Sequence, residues 1–285
     1  MTTYQGSVTA RICAWARAYY SKSENQPSFN DYLAEKIIED DKKLLLNLIL
    51  KKRRHEQGVF KKNVLDLILP IPVSRSIFAE REFLDFKKKN PSAQYLILGA
   101  GLDTFAWRDT SDETSYFEVD HPFFQSIKKQ RIKNLHLANR AIFVPVDFKT
   151  DSLKEKLKQA GFNSSRPTFV TIMGLSYYLN FSTFISTLKD ILEISSSLTV
   201  LFDFYEESSF SESDRRFEEL KNLTSYVGEP MSDGYRSSNV VNTLELLGFA
   251  VKHLTPYEIK EKILSGQIKK IKAYDNVHFI KAEKL

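Results

Sequence analysis

The chain has 285 residues, with 41 basic against 36 acidic side chains and a net charge of +5. A hydrophobic share of 42% and a charged share of 27% are those of a globular protein with a sizeable core. They exclude a disordered chain, a collagen-like repeat and a disulfide-stapled peptide. The single cysteine, Cys13, can close no internal disulfide and build no cysteine metal cluster, and it reads as a small buried hydrophobe.

The amino terminus lacks the basic segment, uninterrupted apolar stretch and cleavage site of a signal peptide. The apolar passages at 44–50 and 64–73 stop well short of the ~20 residues of a membrane span. A cytoplasmic protein with no membrane partner is therefore expected. Periodicity predicts a helix over 7–22, with Ile12, Trp15, Ala16 and Tyr19 on one side. A second helical region should run over 30–57, capped by Asn30 or Asp31 and stopped near Gly58. The basic cluster at 51–54, with Lys61 and Lys62 nearby, reads as a solvated helix end. No nucleic-acid motif accompanies it, so no nucleic-acid partner is expected. Pro70 and Pro72 should interrupt the chain before a further helix over 75–89.

After Asn90-Pro91 the character changes. Short, nearly continuous apolar runs at 93–99, 115–119, 141–146, 168–173 and 198–204 suit strands buried on both faces. Helical intervals at 121–134, 149–159 and 181–194 separate them, the alternation of a parallel sheet with crossover helices. Residues 206–247 are polar and helical, with a loop around 228–238, and the runs 249–254 and 276–282 should pair as the last strands. The division is into a helical extension at 1–90, an α/β core at 91–205, a helical insertion at 206–247 and a final strand pair at 248–285.

The sharpest local signal is Leu98-Gly99-Ala100-Gly101-Leu102-Asp103, directly after the first strand. Glycines let a backbone turn tightly and come close to a ligand. Asp120 ends the second strand 21 residues after Gly99, about where an α/β nucleotide fold reaches ribose hydroxyls. A dinucleotide fingerprint wants glycine or alanine at the sixth position beside a pyrophosphate. Thr104 stands there, preceded by Asp103, whose carboxylate would repel a pyrophosphate and favour a cation. The turn thus leans away from NAD and toward S-adenosylmethionine, a phosphate-free nucleoside with a positive sulfonium.

Here the sequence resembles the leucine carboxyl methyltransferase-like family of class I S-adenosylmethionine-dependent methyltransferases, in its bacterial small-molecule O-methyltransferase branch. The likeness runs through SVTARICAWARAYY, PSFNDYLAEKI at 27–37, SRSIFAEREFL at 74–84 and QYLILGAGLDTFAWR at 94–108. It continues in YFEVDHP at 116–122, VPVDF at 144–148, GLSYYL at 174–179 and the 234–249 region. It implies a Rossmann-like α/β fold: a mostly parallel seven-stranded sheet with an antiparallel last strand, a helical N-terminal extension and a helical insertion before the last strand pair. It also implies that Gly99, Ala100 and Gly101 pass the methionine portion of the cofactor, that Asp120 holds the ribose and that Asp147 and Phe148 border the adenine. Arg75 would fix the cofactor carboxylate, with Arg81 the alternative. Where relatives of this kind usually carry a glutamate, this chain has Met173, so its main-chain carbonyl or Asp103 would take the ammonium.

The implied reaction is methyl transfer to a carboxyl or hydroxyl oxygen of a small or medium organic acceptor, leaving S-adenosylhomocysteine. A carboxylate needs no base, whereas a hydroxyl benefits from proton removal. Candidate groups for that role are His121, Tyr177 and Tyr178, with Asp203 as a further pocket acid. The extension and the segment at 206–240 should cover the acceptor, offering Trp15, Tyr19, Tyr20, Phe210, Phe217, Tyr226 and Tyr235 as an aromatic lining. The five histidines show no paired metal-ligand spacing, so no metal is expected. The alternatives are a protein C-terminal carboxyl methyltransferase, a non-catalytic donor-binding relative, a nucleic-acid methyltransferase and an NAD-dependent oxidoreductase.

Overall fold

The computed structural model describes residues 7–23, 27–38, 64–148, 150–207, 215–265 and 271–285. The predicted helix over 30–57 beyond residue 38, the basic cluster at 51–54 and Phe210 lie outside them.

Seven strands form one sheet: β1 (Gln94–Leu98), β2 (Ser115–Asp120), β3 (Ala141–Pro145), β4 (Thr168–Ile172), β5 (Leu198–Tyr205), β6 (Phe249–Leu254) and β7 (Val277–Lys284). Their spatial order is β3-β2-β1-β4-β5-β7-β6. The first five are parallel, and β7 runs antiparallel to both β5 and β6. Burial follows the placing, and the run at 141–146, expected to be buried on both faces, is instead an edge strand with Ile142 exposed, since only one neighbour covers it. β1, β4 and β5 are buried along their whole length and take the centre, whereas β3 and β6 are partly exposed and take the edges.

Successive side chains of β1 point to opposite faces, so each face has its own core. Tyr95 and Ile97 pack with Phe78, Phe83 and Phe169 under the N-terminal helices. Leu96 and Leu98 pack with Phe117, Val170, Ile172 and Phe184 on the other side. Phe83 stacks on Tyr95 with ring centroids 4.3 Å apart. The chain leaves β1 toward β2 and β3 and returns through β4 on the other side, so strand order reverses between β1 and β4. Open α/β sheets form their ligand crevice outside the carboxyl ends of strands at such a point.

The first helix covers Val8–Ser23, close to its predicted span. The prolines behave differently from the expectation. Pro70 and Pro72 lie in the first turn of a helix running Pro70–Lys89, and a short helix, Val64–Ile68, leads into it. First-turn N–H groups have no partner within a helix, so a proline there loses nothing and its fixed φ starts the turn. The helix predicted from 149 begins at Leu153, because Ser152 caps it by accepting from Glu155 N–H at 3.3 Å. The insertion supplies Arg215–Tyr226 and Ser237–Leu246. Two further short α-helices among the described residues were not foreseen: Phe105–Arg108 after the glycine turn, and Pro256–Ile259, opened by a capping box between Thr255 and Glu258 and continued as a wide turn over Lys260–Leu264. No described helix is long and apolar enough to cross a membrane.

Candidate functional site

At the carboxyl ends of β1, β2 and β4 lies a cavity of about 730 Å³, within the usual size range of small-molecule and cofactor sites. Its floor is the glycine turn. Gly99 and Gly101 sit at φ +69° and +48°, in the left-handed region that favours glycine. A Cβ on Gly99 would come 3.3 Å from Leu175 Cβ, and one on Gly101 would come 3.3 Å from Ala10 Cβ. The turn thus lies bare beneath the first helix. Gly101 N–H donates to Asp120 Oδ2 and His121 N–H to Oδ1, each at 2.7 Å. Burial pushes the Asp120 carboxyl up, and those two N–H groups oppose the shift.

The far wall depends on a different carboxylate. Asp203, fully buried in β5, accepts from Gly174 N–H at 2.6 Å. Its other oxygen lies 3.7 Å from Arg75 Nη1, and Arg75 Nη2 donates to Cys13 Sγ at 3.1 Å. Burial raises the Asp203 carboxyl, with Arg75 and the Gly174 N–H working against it. Gly174 has φ +80°, and a Cβ there would lie 2.2 Å from Arg75 Nη1. Only a glycine lets the chain pass the guanidinium.

The extension is tied to the floor by a buried ionic cluster. Asp31 lies 2.8 Å from Arg17 Nε and 3.3 Å from Arg108 Nε, and Thr104 Oγ1 donates to it. Burial pushes against ionisation, but the two arginines and the hydroxyl hold Asp31 below the ordinary carboxylate range. Arg17 Nη2 also donates to Leu102 O at 2.6 Å, inside the glycine turn itself, and Arg108 pairs with Glu80 at the cavity wall. Above, Glu229 from the insertion accepts from Val8 N–H at 2.6 Å and Ser7 Oγ at 2.9 Å. It thereby closes the first helix with a partner more than 200 residues away.

The structure brings together Arg75, Gly99, Ala100, Gly101, Asp103, Asp120, Met173 and Tyr178 as cavity lining. Arg81 lies away from it, donating to Lys262 O at 3.3 Å. Asp147 and Phe148 are not part of the lining. Asp147 stands 3.8 Å from His121 Nε2, one step beyond Asp120, and Phe148 is 39% exposed. His121 is also outside; its ring accepts from Phe123 N–H and caps the helix Pro122–Asn134. Tyr177 is buried and lines a smaller recess.

The expected aromatic lining is corrected by the structure. None of Trp15, Tyr19, Tyr20, Phe217, Tyr226 and Tyr235 lines the cavity. Tyr20 stacks on Phe29, Phe217 on Tyr205 and Tyr235 against Phe184, while Tyr19 and Tyr226 face solvent. Large rings gain most from core burial, and these serve the core. Sequence reasoning missed Glu80 and Glu229, and it read Asp31 only as a helix cap, which its bond from Ala34 N–H at 2.9 Å supports. No local pattern marks the remaining contacts, because their partners stand far away along the chain.

The tyrosines have definite acid–base character. Burial pushes Tyr178 up to about 12, and Tyr177 goes well above the usual range through burial and the Asp203 charge. Both are neutral hydroxyls at pH 7. The cavity also suits S-adenosylmethionine: a turn that a Cβ would obstruct, a half-buried carboxylate for hydroxyls and a guanidinium for a carboxylate.

Comparison with known proteins agrees. Residues 10–192 match the leucine carboxyl methyltransferase family. A Bacillus subtilis protein named "Putative S-adenosyl-L-methionine-dependent methyltransferase YktD" is 28% identical over 308 residues, covering 100% of both chains. Among solved structures, a DUF574 family protein from Streptomyces avermitilis superposes with a TM-score of 0.61 at 12% identity, covering 98% of each chain. Magnesium protoporphyrin IX methyltransferase from Synechocystis PCC 6803 with bound S-adenosylhomocysteine gives 0.51 at 10% identity, over 88% of this chain and 100% of that one. At such identities the two structures speak for the fold, a class I methyltransferase Rossmann-like sheet. The chain belongs to the leucine carboxyl methyltransferase family and is an S-adenosylmethionine-dependent methyltransferase.

Proposed function

We propose that the protein methylates a carboxylate oxygen of a small organic acid. Gly99 to Gly101 pass the methionine arm of the donor, Asp120 accepts from its ribose hydroxyls, and Arg75 pairs with its carboxylate. Asp103 or the Met173 carbonyl takes its ammonium. The bound donor supplies a methyl carbon on a sulfonium: the acceptor oxygen bonds to that carbon as the C–S bond breaks, its electron pair staying on sulfur.

The first helix and residues 228–230 cover the cavity and would exclude water while the acceptor is aligned. The observation that carries the choice of acceptor is the state of the tyrosines. Burial pushes Tyr178 up to about 12 and Tyr177 well above the usual range, so both keep their protons at pH 7, and His121, the other candidate base, stands outside the lining. A carboxylate is already ionised and asks for no base.

The test uses a donor labelled at its methyl group and panels of carboxylic acids, phenols and alcohols. Products are then treated with alkali. The reading expects label released as methanol, the behaviour of a methyl ester. Alkali-stable label on a phenol or alcohol would replace it with the hydroxyl reading, and transfer only to a peptide C-terminus would replace the small acceptor.

A further inference from the structure

Behind the main cavity lies a second, narrower recess of about 60 Å³. It shares Thr9, Cys13, Arg75 and Tyr178 with the main cavity, so the two adjoin where the guanidinium stands. Beyond that junction its walls are mostly aliphatic. Ile12 comes from the first helix, Ile68 and Ile71 from the proline-started region, and Leu220, Leu223 and Val227 from the insertion. Thus it is closed by the two segments that also cover the main cavity. At the junction, Tyr177 Oη faces Asp203. Both Tyr177 Oη and Asp203 Oδ2 are buried, and the two interact with each other and with the Arg75 charge.

We propose that this recess is the specificity subsite for the acceptor and that it takes a short aliphatic chain. Its substrates are then unbranched carboxylic acids, lying with the carboxylate at the junction and the tail between Ile12, Ile71, Leu220 and Leu223. This deepens the carboxylate reading above and rests on it. The volume sets the length. At ~10–15 Å³ for each water-sized group, about 60 Å³ holds on the order of four to six carbon atoms. Aliphatic walls without a charged group at the far end favour a tail that ends in a methyl group, and a second carboxylate there would be desolvated without a partner. The buried Tyr177 hydroxyl stands at the head end, where it can donate to the acceptor oxygen that is not methylated. Each methylene that enters the recess should raise kcat/KM about fourfold until the recess is full.

The experiment measures kcat/KM for straight-chain acids from acetate to dodecanoate, in the wild-type protein and in Leu220→Phe and Leu220→Ala. Leu220 is only partly buried, so both substitutions leave most of the core untouched; thermal unfolding checks each fold. We expect a maximum near pentanoate to heptanoate and a fall of at least tenfold by decanoate. Leu220→Phe should move the maximum to shorter acids and Leu220→Ala to longer ones. A maximum that stays in place in both folded variants overturns the recess while leaving carboxylate methylation intact. If Leu220→Phe does not fold, Leu220→Ala decides alone. No transfer to any acid, with donor binding shown by calorimetry, overturns the carboxylate reading and the recess with it.

Discussion

The two sides of the cavity are built on opposite principles. On the β1–β2 side the work is done by backbone: two glycines at positive φ, and Asp120 fixed by two N–H groups at 2.7 Å. Its parts are all within about twenty residues of one another. On the β4–β5 side the work is done by side chains from distant segments: Arg75 from one helix, Cys13 from another and Asp203 from β5, packed around a single permissive glycine. The first arrangement is local and solvent-tolerant. The second is buried, charged and dependent on every member being in place.

That difference predicts unequal fragility. The largest effect should come from Gly174→Ala. The new Cβ would sit 2.2 Å from Arg75 Nη1 at a φ of +80°. Backbone strain of ~1–3 kcal/mol adds to the several kcal/mol lost when a buried charge pair is disturbed. S-adenosylhomocysteine affinity, read by calorimetry, should fall at least a hundredfold, with a lowered unfolding midpoint. Unchanged affinity would separate the Arg75 position from donor binding.

Next is acid sensitivity confined to the β5–β7 side. His278 Nδ1 lies 2.8 Å from His253 Nε2, and burial followed by that neighbour lowers its pKa from 6.5 to about 4. The folded state prefers neutral His278, so the unfolded chain binds more protons between these values and stability falls as pH drops from 6.5 toward 4. The loss amounts to about 3 kcal/mol. Urea titrations across that window should show the slope in the wild type and a flatter profile in His278→Asn; equal slopes would assign the acid sensitivity elsewhere.

The smallest effect belongs to the local side. Asp120→Ala removes the charged acceptor proposed for the ribose hydroxyls, worth about 2 kcal/mol, or roughly thirtyfold in donor affinity. The fold should survive, because the turn keeps its Gly99 N–H and Ala100 N–H bonds to Val119 O. A loss larger than that of Gly174→Ala would reverse the order of the two sides.

Much of this fold was legible because it is written in short-range patterns. The apolar runs all read as strands buried on both faces, which holds along the whole of β1, β4 and β5 but not for β3, and 249–254 matched β6 residue for residue. The prolines misled because the same residue both breaks a helix and begins one, and only its position in the turn decides. The Thr255–Glu258 capping box was visible as T-P-Y-E yet lay in a segment too short to show periodicity. The aromatics misled for another reason: composition counts rings, but packing decides whether a ring fills a core or a cavity.

By itself, then, the sequence determined the sheet, the glycine turn, Asp120 and the family, since each depends on residues close in the chain or on a strand's repeating burial. Tertiary structure alone decided that Arg75 stands against the buried Asp203 with Gly174 leaving room for it, that Glu229 closes the main cavity over the first helix, and that Leu220 lines the recess beside it. Those relations join residues dozens to hundreds of positions apart. Their physical cause is desolvation: a charge or an aliphatic wall acquires its role only when folding removes water around it, and no local pattern records which surfaces will meet.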